Sequence, residues 1–225
     1  MDRQALRCAH ALHRLVARAA RGAHRGAGRY VPATVTRGIV LDVDARLPPA
    51  IQRLAVEEAA RVWAPYRVDV TLKQGAGLPS SEPEGAVISV RLVGLAPRTM
   101  AAASPFGSIQ FVSGLPAPLV FLHYEAISRA IADGAAVGVR EAQWPSALRE
   151  RVLGRIVGRV LAHEIGHFVL RSPRHASRGL MRPIQHITEL IAGNGELFGL
   201  TSEDLTLLRA ALTPRRAVEA GNAGE

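Results

Sequence analysis

Two prolines, Pro145 and Pro173, bracket the longest helical pattern in the chain, and that stretch limits the possible folds more than any other. Pro145 followed by Ser146 suits the first turn of a helix, and Pro173 blocks a further turn, so the spacing predicts one helix running to about Arg171. Leu153, Ile156, Val160, His163, His167 and Leu170 recur three or four residues apart and form its inward stripe. Both histidines therefore belong to the buried face. Gly154 and Gly158 mark a close approach by another element. Arg151, Arg155 and Arg159 beside them favour contact with a sheet over a membrane setting.

Residues 163–167 read His-Glu-Ile-Gly-His. Four residues of helix advance the chain about 6 Å and turn it about 40° past a full turn, so the two imidazoles point the same way and can share one metal. Glu164 lies about 100° around from His163, outside the ligand pair but within reach of a water on that metal. A hydrolytic zinc site needs this division of labour: Zn2+ acts as Lewis acid and lowers the water's pKa toward ~7, and the carboxylate takes the proton as the water attacks a carbonyl. A catalytic zinc also needs a third protein ligand. His175, two residues beyond Pro173, is best placed to fold back. Glu189 is the next choice and would complete a His-His-Glu site. His186 is third and serves equally well as a partner behind a ligand.

The rest of the body alternates strands and helices. Residues 36–44 alternate apolar and polar positions and read as a strand. Residues 50–63 carry Ile51, Leu54, Ala55, Val62 and Trp63 at helical spacing up to Pro65. Strands follow at 66–72 and 86–93, separated by a Gly-, Pro- and Ser-rich loop at 74–85. Two short strands, 108–113 and 119–123, flank an expected turn at 114–118 whose prolines suit an edge position. A short helix at 125–132 and a final helix at 202–212, capped by Thr201 or Ser202, complete the pattern. The expectation is one α+β domain over 36–213, a mixed sheet packed on helices, with a basic arm at 1–35 and a tail at 214–225.

The run from His163 to His167, followed by His175 and by Gly179-Leu180-Met181-Arg182-Pro183, resembles the metzincin zinc peptidases, most closely their matrixin-like members. The order of strand, helix, strands and active-site helix is also similar, over roughly residues 36–212. The resemblance implies a zincin-like fold and peptide-bond hydrolysis on a peptide or protein substrate. It also implies His163, His167 and His175 as zinc ligands, Glu164 as general base and Met181 as a turn methionine beneath the metal. It further implies that substrate adds as a strand along a sheet edge, best matched by Ile109, Gln110 and Phe111. No side chain is assigned to a developing oxyanion; His123 and Tyr124 sit at a strand end from which they could approach the site. Two departures stand out: Leu170 replaces the family's glycine three residues after the second histidine, and the third histidine comes eight residues after His167 rather than six.

Charge adds less than it first suggests. The net charge is +9, but residues 1–37 alone carry +7 and the remainder only +2, so no specific nucleic-acid partner is expected of the body. Residues 3–29 could form a basic amphipathic segment able to touch an anionic surface. Arg14 and Arg18 interrupt its apolar runs, so neither a secretory signal nor a membrane span is expected there. A cytoplasmic setting is the default, and a secreted one requires a different start. Cys8 is the single cysteine, which excludes an internal disulfide and a cysteine-built metal site. Two rival readings remain: an intracellular regulatory peptidase with Glu189 as third ligand, and a non-catalytic zinc-containing module that binds through the arm.

Overall fold

In the first strand, β1 (Arg37–Val43), Ile39 and Leu41 are fully buried and alternate with more exposed neighbours, the period-two pattern of a strand with one covered face. The structure, a computed structural model, describes residues 37–73, 85–94, 106–133, 140–184, 186–192 and 195–213. The basic arm at 1–35, the tail at 214–225 and most of the loop at 74–85 lie outside the described residues.

After β1 come α1 (Pro49–Trp63), β2 (Val68–Leu72), β3 (Ala86–Leu92), β4 (Gly107–Val112) and β5 (Leu115–Leu122). Then follow α2 (Tyr124–Asp133), α3 (Ser146–Leu170), α4 (Ile187–Ile191) and α5 (Ser202–Leu212). The class is α+β. The sheet runs in the order β2-β1-β3-β5-β4, with β1, β2, β3 and β5 parallel and β4 antiparallel at one edge. Among the described residues, no helix is long and apolar enough to cross a membrane.

The β4–β5 connection is tighter than the proline pattern suggested. The turn is only Ser113-Gly114, both with positive φ (51° and 77°), and β5 begins at Leu115 with Pro116 and Pro118 inside it. The prolines are tolerated because β5 pairs with β3 only from Leu119 onward. Toward β4, Pro118 lies where the register shifts between Ile109 and Phe111, while Pro116 stands opposite Phe111 next to the Val112–Leu115 pair that closes the turn, where antiparallel alternation points its nitrogen away from β4.

The long helix α3 is buried almost all round. From Val152 to Leu170 only Arg155 and Phe168 are less than fully buried, a wider burial than a single stripe. Gly154 and Gly158 do mark a close approach, but by α1 rather than by a sheet. A side chain at Gly154 would collide with Leu54, and one at Gly158 with Ala55 O and Glu58. The same crossing carries a buried ion pair: Arg159, 1% exposed, donates from Nε to Glu58 Oε1 at 2.7 Å. Its Nη1 donates to the Leu190 carbonyl at 2.8 Å and also to Ala192 O, and its guanidinium lies 4.4 Å from the Phe198 ring centroid. Burial lowers the Arg159 pKa to about 10, which leaves it charged at neutral pH. This one side chain ties α1, α3 and α4 into the block that holds the histidines.

Candidate metal centre

His163 and His167 leave the last turns of α3 on one face, and the following loop returns His175 to them. The three candidate ligand atoms lie within 4.8 Å of one another, close enough to bind one metal ion. His163 Nε2 and His175 Nε2 are 3.2 Å apart. Two nitrogens about 2.0–2.1 Å from one ion at the tetrahedral angle would be about 3.3 Å apart, so this pair has the spacing of two ligands on one metal.

Each helical imidazole is anchored from behind. His163 Nδ1 lies 2.7 Å from the Leu180 carbonyl and His167 Nδ1 lies 2.7 Å from that of Ser172. A carbonyl can only accept, so both Nδ1 atoms carry the proton and both Nε2 lone pairs face the cluster. Burial depresses all three imidazoles, His163 to about 3 and His167 to about 4, which keeps them neutral at pH 7 as metal ligation requires.

The loop that returns His175 starts with a non-glycine residue in the left-handed region. Arg171 has φ 52°, the helix ends at Leu170, and the Ser172 N–H bonds back to the His167 carbonyl at 3.2 Å. The helix is thus turned by Arg171, two residues before the proline expected to stop it. Further on, the Ala176 N–H bonds to Met181 O at 2.9 Å and the Leu180 N–H to Gly199 O at 2.8 Å. Met181 is buried with its sulfur against Gly166, where any side chain would collide with it. The glycine between the two histidines is therefore the seat of Met181. The sequence carried that signal in the residue itself, although only the histidines and Glu164 drew notice.

Glu164 is 2% exposed and lies outside the ligand group. Burial raises its pKa to about 8, opposed by a hydrogen bond from the Ile109 backbone N–H. That donor is available because the His123 N–H bonds to Phe106 O at 3.0 Å, which by antiparallel alternation turns the backbone groups of Gly107 and Ile109 away from β5, to the free edge. The close approach needs Gly107, since a side chain there would meet Val160 and come near Glu164 Oε1. Of the three expected strand contacts, Ile109 touches Glu164, and the Phe111 ring stands edge-on to His167 with centroids 6.2 Å apart. Gln110 is exposed.

Other expected residues lie elsewhere. Glu189 is paired with Arg182, and His186 is exposed ahead of α4; neither belongs to the ligand cluster. Tyr124 does not approach the metal centre. Its neighbours are Ser128, Glu141 and Arg149, and Arg149 precedes His163 by about 21 Å of helix. The reason is the direction of the chain, because Tyr124 opens α2 and faces the start of α3. His123 is buried at the end of β5.

No protein-family model matches the chain, and no match was found among curated proteins or solved structures. The geometry of the cluster therefore carries the functional reading.

Proposed function

We propose that this chain is a zinc-dependent metallopeptidase with a zincin-like catalytic domain, related in its site plan to the matrixin-like metzincins. The observation that carries the reading is the convergence of three neutral imidazoles beside a buried carboxylate that is not one of them. His163, His167 and His175 would hold the metal. Zinc, when bound, supplies Lewis acidity and makes a water acidic enough to attack a carbonyl near neutral pH.

The protein's own groups do the remaining work. Glu164 accepts the proton from the attacking water and passes it to the leaving amine. Burial alone raises its proton affinity, a divalent cation held by the neighbouring histidines would lower it again so that the carboxylate form can accept a proton, and the Ile109 N–H fixes where the group sits. With the Ile109 N–H taken by Glu164, the backbone groups of Gly107 and the Ile109 carbonyl are the ones turned to the β4 edge that an extended peptide could meet. Two observations argue against the rivals. Glu189 is paired with Arg182 and is not among the clustered ligand atoms, which counts against the carboxylate ligand of the regulatory-peptidase reading. A purely structural zinc has no use for an unligated carboxylate beside it, which weakens the binding-module reading.

The test combines metal analysis of the purified protein with a peptide-library digest, with and without chelator. One zinc per chain, cleavage stopped by chelator and restored by zinc, and a Glu164→Gln variant that keeps zinc but does not cleave are expected. A zinc-replete protein that cleaves nothing, or cleavage indifferent to Glu164→Gln, would overturn the proposal.

A further inference from the structure

The two walls beside the metal cluster differ in charge. On the sheet side, residues 106–124 contain no Asp, Glu, Lys or Arg. On the other side, residues 165–188 contain Arg171, Arg174, Arg178 and Arg182 and not one acid. Arg182 is matched by Glu189, but Arg171, Arg174 and Arg178 are exposed and have no ion pair among the described residues. Other exposed arginines, Arg53, Arg67, Arg129 and Arg151 among them, also have no carboxylate partner among the described residues; what distinguishes this segment is a run of four arginines with no acid between them.

These three arginines stand on the segment that delivers the third ligand. Arg174 precedes His175 directly, so their Cα atoms are about 3.8 Å apart, and the Cα of Arg178 is at most about 11 Å from that of His175. That is roughly one screening length at physiological salt, so the charges act on whatever lies over the cluster. A divalent ion among the imidazoles adds to the same positive potential. Three exposed guanidiniums on one short segment, with no acid nearby in the sequence, concentrate a positive potential there that an anionic group on a ligand would match.

We propose that the cleft selects acidic peptides: Arg171, Arg174 and Arg178 form a basic wall that recognises Asp or Glu side chains close to the scissile bond, facing the uncharged wall built by β4 and β5. This inference rests on the peptidase reading and names its substrate class.

The experiment compares kcat/KM for matched peptide sets carrying Glu, Gln or Lys on either side of the scissile bond. Glu-bearing peptides are expected to be cleaved at least about tenfold better than Gln-bearing ones and to be the most weakened by raising salt from about 0.05 to 0.3 M. In Arg174→Gln/Arg178→Gln the ratio of Glu to Gln peptides should fall toward one through KM, whereas Arg53→Gln, on the exposed face of α1, should keep it. Binding of fluorescent Glu and Gln peptides to zinc-loaded Glu164→Gln gives the same ratio without turnover. If the double variant does not fold, the salt dependence of the unaltered protein reads the same contribution. Equal cleavage of Glu and Gln peptides, or a preference untouched by salt, would overturn the inference and leave the peptidase reading standing. So would an oligonucleotide binding more tightly than any acidic peptide through the same arginines. Absence of all cleavage would instead sink the peptidase reading on which it depends.

Discussion

Two parts of the chain meet at the three-histidine cluster and are built in opposite ways. His163 and His167 are carried by a helix buried on nearly every side, pinned to α1 by glycine contacts and by the Glu58–Arg159 pair. His175 is carried by an exposed loop whose course depends on one left-handed residue and a few backbone hydrogen bonds. The first part positions its imidazoles by packing against the core, and the second relies on the loop's own turn and hydrogen bonds. The helical pair should therefore set whether metal binds and the loop how tightly.

The largest effect should separate the two parts directly. His163→Ala removes a preoriented ligand and is expected to weaken zinc binding by at least about a thousandfold; His175→Ala should leave a measurable site weakened by about a hundredfold. Competition with a chromogenic chelator checks both, and equal losses would erase the distinction. Next, Glu58→Gln leaves Arg159 buried without its counter-charge and should cost about 3 kcal/mol in urea melts at pH 7. Burial by itself would raise the Glu58 pKa, but Arg61 and Arg159 outweigh it and the net shift is downward. A carboxyl lowered on folding stabilises above its unfolded value of 4.5 and loses that contribution as pH falls through its lower folded value. The gap between wild type and Glu58→Gln should therefore be full at pH 7 and shrink in that acid range.

Smaller changes sharpen the contrast. Gly166→Ala places a methyl against the Met181 sulfur and should cost about 2 kcal/mol, even after the gain in helix propensity. Its thermal melt is expected to drop while the loop variants stay close to wild type. Arg171→Gly relieves a left-handed residue and should stabilise the apo protein by about 1 kcal/mol, read as a raised Tm. A loss of stability there would mean that the Arg171 side chain, not its backbone, shapes the turn.

The same contrast explains how much the sequence revealed. The inward stripe from Leu153 to Leu170 and the pairing of His163 with His167 follow from helical spacing alone, and both could be read directly. The return of His175 was legible as a direction, because Pro173 forbids further helix, but the turn itself falls at Arg171, whose sequence carries no mark of positive φ. Pro116 and Pro118 misdirected the β4–β5 boundary, since a proline is costly only where a ladder bond is required. Arg159 read as a polar neighbour of two glycines. Its burial depends on Glu58, 101 residues earlier, and on the carbonyls of Leu190 and Ala192, partners that local periodicity does not reveal.

The central claim is that three imidazoles hold one metal with Glu164 outside the shell. X-ray absorption at the zinc edge on the Glu164→Gln protein, loaded with one equivalent of zinc, tests it most directly. Imidazole nitrogens at about 2.0 Å are expected around the zinc, unchanged from wild type. A shell that loses a ligand on that substitution, or one with fewer than three imidazoles, would contradict it.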